Sequence, residues 1–194
     1  FLTSLTDRGL AGVRLVISDA HAGLIKAIRR CFQGAAWQRC RVHAMRNLLS
    51  AANHRHRQVI AALIRTIFVQ PDATTATVQL RAVVQQLRPY APGVAERLEA
   101  MEADLLAYTG FPPAHWSKIW SNNPIERLNR ELKRRTDVVG IFPDKASVVR
   151  LVGALLVEIN DEMIAAERRY IAAASVADLT EQPSELALPA APRT

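Results

Sequence analysis

The sequence has few cysteines and no long apolar run. Its 194 residues include two cysteines, Cys31 and Cys40, too few for a disulfide framework and typical of a reducing, cytoplasmic compartment. No segment reaches the roughly 18 uninterrupted apolar residues that a membrane-spanning helix needs. No signal peptide is visible, and the first residue is Phe1 rather than Met. We therefore expect a cytoplasmic chain that was processed or truncated from something longer.

Motifs of several common enzyme classes are also absent. The sequence contains no Gly-rich phosphate loop, no Gly-x-Ser-x-Gly and no His-Glu-x-x-His. These absences count against P-loop nucleotide hydrolases, α/β hydrolases and zinc metalloproteases.

Acidic residues are missing from one long stretch. None occurs between Asp19 and Asp72, where nine basic residues lie: Lys26, Arg29, Arg30, Arg39, Arg41, Arg46, Arg55, Arg57 and Arg65. A second basic cluster runs from Arg127 to Arg135, and the formal net charge is +7. Basic surfaces favour polyanions through counterion release. The composition leaves two interpretations open, a nucleic-acid interface and a solvated, arginine-rich surface.

The opening of the chain predicts an α/β unit. Residues 13–19 (VRLVISD) have the pattern of a short buried strand, and residues 37–42 (WQRCRV) are a weaker strand candidate. Between them, apolar residues at helical spacing predict a helix that Gly34 stops. A strand, helix and strand in this order are typical of an α/β fold.

Helices are predicted for most of the middle of the chain. An apolar stripe covers residues 60–68, and Asp72 is a candidate N-cap for a helix that Pro89 and Pro92 end. A third helix is predicted from Val94 through Leu105, ending near Gly110.

Two further helices are predicted toward the end of the chain. Asn123 is a candidate N-cap and Pro124 a first helical residue, for a helix that runs to about Arg135 and buries Ile125, Leu128 and Leu132. Asp144 is a candidate N-cap for a long amphipathic helix. Past about Val176 the composition predicts disorder.

Two carboxylates are candidates for metal binding. Asp19 ends a predicted strand, at the edge of α/β sheets where ligands bind, and carboxylate oxygens hold Mg²⁺. Glu126 lies in the first turn of a predicted helix, beside the edge of its apolar face. Each has a structural alternative, because Asp19 can cap the next helix and Glu126 can complete a capping box. Glu131 is better explained by an ion pair with Arg135 or Arg127.

Cys40 and His43 form a Cys-x-x-His pair. A zinc site would need two more ligands, for which Cys31, His54 or His56 could be proposed, but the spacing matches no structural zinc motif. The alternative is a small buried cysteine followed by a histidine that begins a helix. Trp116 and Trp120, beside Lys118, suit either base stacking or burial.

Three segments resemble the bacterial branch of the Mutator-like transposases. They are LVISDAHAGL (15–24), CRVHAMRNLL (40–49) and above all WSNNPIERLNRELKRRTDVVGIFP (120–143). The order and spacing of the three segments also agree with that family, over about residues 1–170. The resemblance implies an RNase H-like fold, present in part, with an all-helical insertion. The domains would be 1–44 (partial core), 45–115 (helical insertion), 116–172 (last core helices) and 173–194 (disordered tail).

The resemblance also implies a chemistry. The family uses an Asp-Asp-Glu triad with Mg²⁺ or Mn²⁺, in which Asp19 corresponds to the second Asp and Glu126 to the Glu. The first Asp and the DNA-binding region would lie upstream of Phe1, so we expect this chain to be inactive alone. Cys40 and His43 match a family signature whose role the sequence does not give.

DNA would be the partner, as terminal inverted repeats and target, in a nucleoid-associated protein that works as a homo-oligomer. Phosphate contacts are expected from one helix, through Asn129, Lys133, Arg134 and Arg135. Two alternatives stay open. One is a non-catalytic remnant that binds DNA or another subunit, and the other is a helical scaffold in which Asp19 and Glu126 are only caps.

Overall fold

The computed structural model describes residues 1–166, 171, 175, 176 and 179. Within these residues the chain is mostly helical with a small sheet. The predicted disordered tail, 173–194, lies outside the described residues except at three positions.

The described elements follow one another with short connections. In chain order they are α1 (Leu2–Asp7), β1 (Leu15–Ser18), α2 (Ala22–Cys31), β2 (Ala36–Arg39), α3 (Arg41–Ser50), α4 (Arg57–Arg65), α5 (Ala73–Leu87), α6 (Pro92–Ala100), α7 (Glu102–Leu105), α8 (Pro113–Ile119), α9 (Asn123–Val139) and α10 (Lys145–Ala165). Short 3₁₀ segments span His54–His56, Thr66–Val69 and Ala107–Gly110. No helix among the described residues has both the length and the apolar character needed to cross a membrane.

Both predicted strands are present, and they pair in parallel. The second is shorter than predicted, because it ends at Arg39 and Cys40 already caps α3. Leu15 is opposite Ala36 and Ser18 is opposite Arg39, so the carboxyl ends of β1 and β2 lie side by side. α2 makes the crossover that parallel strands need. A small core of Ile28, Phe32 and Trp37 holds this unit together. The Trp37 indole N–H also donates to Ser18 Oγ at 2.9 Å, which ties the end of β1 to β2.

A second, larger core lies among α3 to α8. It includes Leu48, Ile64, Leu80, Leu98 and Tyr108, each at most 1 % exposed. The stripe predicted at residues 60–68 contributes Ile60, Ile64, Ile67 and Phe68 to it. The predicted capping of α5 is confirmed, because Asp72 Oδ1 accepts the Thr75 N–H at 2.8 Å.

The third predicted helix is broken, contrary to expectation. α6 ends at Ala100, α7 is a single turn, and a 3₁₀ segment comes next. The buried side chain of Gln38 accounts for the second break. Its Nε2 donates to Leu105 O at 2.9 Å and its Oε1 accepts the Tyr108 N–H at 2.7 Å. These bonds satisfy backbone groups that a continuous helix would have paired internally.

α9 also differs from the prediction. Its N-cap is Asn122 rather than Asn123, it continues to Val139, and it has no buried residue. The expected burial of its apolar face was wrong: Ile125 is 52 % exposed, and Leu128 and Leu132 are half-buried. The larger core ends at Trp120, which explains why it does not cover this face. The predicted cap of α10 is confirmed, with the Ser147 N–H donating to Asp144 Oδ1 at 2.7 Å.

Candidate metal site

Asp19 directly follows β1 and is half exposed. The alternative in which it caps the next helix is wrong. The N-cap of α2 is His21, whose Nδ1 accepts the Leu24 N–H at 3.3 Å. The Asp19 carboxylate is therefore not used for capping and faces the neighbouring strand end, where α3 begins.

His43 lies in the first turn of α3 and meets both candidate carboxylates. Its Nδ1 is 2.7 Å from Asp19 Oδ1, and its Nε2 is 3.5 Å from Glu126 Oε1. The side chain is 20 % exposed. Nδ1 is buried and forms no hydrogen bond, although it lies within ion-pair distance of Asp19. One imidazole ring thus stands between two carboxylates that are far apart in the sequence.

Glu126 reaches this ring from the first turn of α9. Its own N–H donates to Asn122 O at 3.1 Å. The alternative of a capping box finds no support, because the Asn122 side chain makes no hydrogen bond to the first turn of α9. The Glu126 carboxylate is about one-third exposed, so an ion from solvent can reach it.

Cys40 completes a group of possible ligand atoms. One atom each from Asp19, Cys40 and His43 lie within 4.8 Å of one another. Within the part of the chain that the structure describes, this group does not include Cys31, His54 or His56, which the zinc interpretation would have needed. Cys40 is fully buried, as the alternative interpretation expected.

The possible ligands are of mixed chemistry. Asp19, Cys40 and His43 form the compact group, which combines a carboxylate, a thiol and an imidazole. Glu126 is not in that group and approaches it at His43 Nε2, 3.5 Å away. Carboxylate oxygens are the ligands that Mg²⁺ prefers, whereas thiol and imidazole groups suit softer metals. Sequence reasoning did not connect His43 with the two carboxylates. The signal was present, however, because parallel strands end at one edge, and Cys40 to His43 follow β2 as Asp19 follows β1.

The four residues expected to contact DNA are all exposed on α9. Asn129 and Lys133 lie one turn apart on one face. Arg134 and Arg135 instead donate to the Glu131 carboxylate, at 2.7–3.0 Å. These hydrogen bonds lower the pKa of Glu131 to about 2. Part of the positive charge of α9 is thus neutralised within the helix.

Of the two tryptophans considered as base-stacking residues, Trp116 is buried and Trp120 is partly buried. Their rings pack edge-to-face against Tyr108 at 5.2 and 5.9 Å. Burial also raises the pKa of Tyr108 to about 12. The Arg41 guanidinium covers Trp120, 3.7 Å from its ring centre, and burial lowers the pKa of Arg41.

Comparison with known proteins shows the family of this chain. The family model described as "Transposase, Mutator family" matches residues 1–166. The chain belongs to the Mutator family of transposases.

Individual relatives are insertion-sequence transposases. The chain is 52% identical over 171 residues to the transposase for insertion sequence element IS1081 of Mycobacterium tuberculosis. It is 42% identical over 163 residues to that for IS406 of Burkholderia multivorans, and 36% over 173 residues to that for IS256 in transposon Tn4001 of Staphylococcus aureus. These alignments cover 84–88% of the chain but 41–44% of the relatives. The chain thus spans less than half the length of these relatives.

Proposed function

We propose that this chain forms part of the catalytic core of a DNA transposase, in which Asp19 and Glu126 bind a divalent cation, Mg²⁺ or Mn²⁺. One observation carries the proposal: both carboxylates contact opposite nitrogens of the His43 ring. Two acidic side chains from distant segments, each partly open to solvent, are a common basis for cation binding.

The fold supports a partial RNase H-like core of the Asp-Asp-Glu class. β1, α2 and β2 provide a parallel unit whose strand ends carry Asp19 and lead into His43. The helices with the larger core are placed between this unit and α9, where an all-helical insertion would lie. We propose the domain limits 1–44, 45–115 and 116–172 on this basis.

The chemistry would be cleavage and strand transfer at DNA phosphodiesters. A cation bound by this site would supply Lewis-acid activation of an attacking oxygen. Asp19 and Glu126 would hold it, and His43 would fix the orientation of both carboxylates. In the complete protein the substrates would be terminal inverted repeats and target DNA, with the subunits acting as a homo-oligomer near the bacterial nucleoid.

The exposed basic side chains of α9 support a second candidate function. A chain that binds DNA or another subunit without chemistry would need the exposed Lys133 and its neighbours, but not the two carboxylates. Metal binding separates the two proposals, because a non-catalytic remnant has no reason to keep a cation site at Asp19 and Glu126.

Manganese binding to the purified chain tests the proposal. Titration followed by electron paramagnetic resonance should show one site, weakened at least tenfold by Asp19→Asn and by Glu126→Gln. Asp137→Asn, at an exposed position on α9, is the matched control and should bind like the unaltered chain. If the unaltered chain binds no Mn²⁺, or if Asp19→Asn and Glu126→Gln bind it as well as the unaltered chain does, the cation site is wrong.

A further inference from the structure

We infer that Cys40 is a positioning residue that holds the segments carrying Asp19, His43 and Glu126 in one arrangement. The inference rests on the proposed function, because it explains how that site is assembled. It also gives a role to the cysteine of the Cys-x-x-His pair.

The backbone of Cys40 connects the first two segments. Its N–H donates to Ser18 O at 2.9 Å, directly before Asp19. Its carbonyl accepts the Ala44 N–H at 2.9 Å, which begins α3 with Cys40 as the N-cap. These two backbone hydrogen bonds of Cys40 therefore fix the position of Asp19 relative to His43.

The side chain of Cys40 connects the third segment. Its Sγ donates to Asn122 Oδ1 at 2.8 Å, across 82 positions of sequence. Asn122 is the N-cap of α9, and its carbonyl accepts the Glu126 N–H at 3.1 Å. The thiol thus bonds to a residue that lies one helical turn before Glu126. Cys40 is 0% exposed, so the donor side of this bond is shielded from solvent.

Arg41 reinforces the same attachment. Its N–H donates to Trp120 O at 2.9 Å, and its guanidinium lies over the Trp120 ring. Two consecutive residues at the start of α3 therefore hold Trp120 and Asn122, directly before α9.

α9 depends on this attachment because it has little other anchorage. None of its residues is buried, and its described helix neighbour is α10, so no buried side chain of α9 fixes it to the larger core. The segment before it is held firmly, with Ser121 buried and Trp120 packed on the larger core. The direction in which α9 leaves this segment decides whether Glu126 meets His43, and the Cys40–Asn122 bond acts at that point.

Substitutions at Cys40 and Asn122 test the inference. Cys40→Ala and Asn122→Ala remove the bond, whereas Cys40→Ser keeps a small donor. We expect Cys40→Ala and Asn122→Ala to weaken Mn²⁺ binding about tenfold, in the range found when partners that orient ligands are lost. Cys40→Ser should restore most of the affinity. Cys31→Ala, at a half-buried cysteine beside Thr3, is the matched control and should change nothing.

A second measurement does not require metal. In a chain that keeps Cys40, the Glu126→Gln substitution should shift the imidazole NMR signals of His43. In Cys40→Ala the same replacement should have little effect, because Glu126 no longer meets the ring. A merely stabilising role of Cys40 would lower the melting temperature without removing this response.

The outcomes separate the inference from the proposed function. If the unaltered chain binds no Mn²⁺, the proposed function is contradicted. The NMR response of His43 to Glu126→Gln still tests the role of Cys40 in that case. The inference is wrong if Cys40→Ala keeps both the His43 response and the Mn²⁺ affinity. It is equally wrong if folded Cys40→Ser is as impaired as Cys40→Ala. Should Cys40→Ala fail to fold, Asn122→Ala and Cys40→Ser give the decision.

Discussion

The Nδ1 atom of His43 lies 2.7 Å from Oδ1 of Asp19. A residue that begins α3 thus contacts one that follows β1, at the shared edge of a parallel pair of strands. The other nitrogen of the same ring, Nε2, lies 3.5 Å from Glu126 Oε1. Three segments of the chain therefore meet at one imidazole.

His43→Ala should weaken Mn²⁺ binding about tenfold, because both carboxylates lose the group that orients them. Isothermal titration calorimetry measures the change. The matched control is His54→Ala, since His54 is an exposed histidine in a 3₁₀ segment away from the site. Equal affinity in the two variants would argue against a part for His43 in the site.

The chain of 194 residues is expected not to nick DNA that carries terminal repeats. Cleavage of this kind uses two cations about 3.5–4 Å apart. In the proposed site, Asp19 and Glu126 would hold one. A plasmid-nicking assay with Mg²⁺ or Mn²⁺ checks this. Metal-dependent nicking that disappears in Asp19→Ala would contradict the prediction.

Lys133→Ala should weaken DNA binding to a similar extent for all sequences. Loss of one phosphate contact should also reduce the slope of log affinity against log salt by about 0.9. Fluorescence anisotropy at several salt concentrations measures both quantities. Lys26→Ala, which removes the same charge from an exposed position on α2, is the control. An equal loss in the control would mean that net charge, and not α9, determines binding.

Gln38→Ala should lower the free energy of unfolding by about 3 kcal/mol, because buried backbone groups of Leu105 and Tyr108 lose their partners. Urea denaturation measures the loss. Gln86→Ala, at an exposed position in α5, should change the stability by less than about 0.5 kcal/mol. A loss at Gln38 as small as that at Gln86 would show that these bonds contribute little.

Glu131 should titrate far below an ordinary glutamate. Hydrogen bonds from Arg134 and Arg135 lower its pKa from 4.5 to about 2. A lowered folded-state pKa means that these pairs stabilise α9 fully above about pH 4.5. Their contribution is lost as the pH falls toward 2. Carbon NMR of the Glu131 carboxyl gives the midpoint.

The two arginines can be tested as the cause. Replacing both Arg134 and Arg135 by alanine should return the Glu131 midpoint toward 4.5, whereas Arg130→Ala should leave it low. A midpoint that stays low in the double variant would show that another group is responsible for the shift.

Local pattern was enough to predict much of the secondary structure. Apolar spacing predicted both strands and α2, and the side chains of Asp72 and Asp144 marked the starts of α5 and α10. Capping depends on a side chain and a backbone N–H three residues later, so it can be read from the sequence. The break at Leu105 could not, because the partner of its carbonyl is Gln38, 67 positions earlier.

The sequence by itself determined the family, through segments specific to Mutator transposases, and it marked Asp19 and Glu126 as candidates. It assigned Cys40 and His43 to a signature without a role. The tertiary structure decided that His43 stands between the two carboxylates and that Cys40 bonds to the start of α9. It also decided that the apolar face of α9 is only partly covered. The reason is physical: spacing along a chain governs hydrogen bonds within a turn, whereas contacts between distant segments arise only when the strands pair and the helices pack.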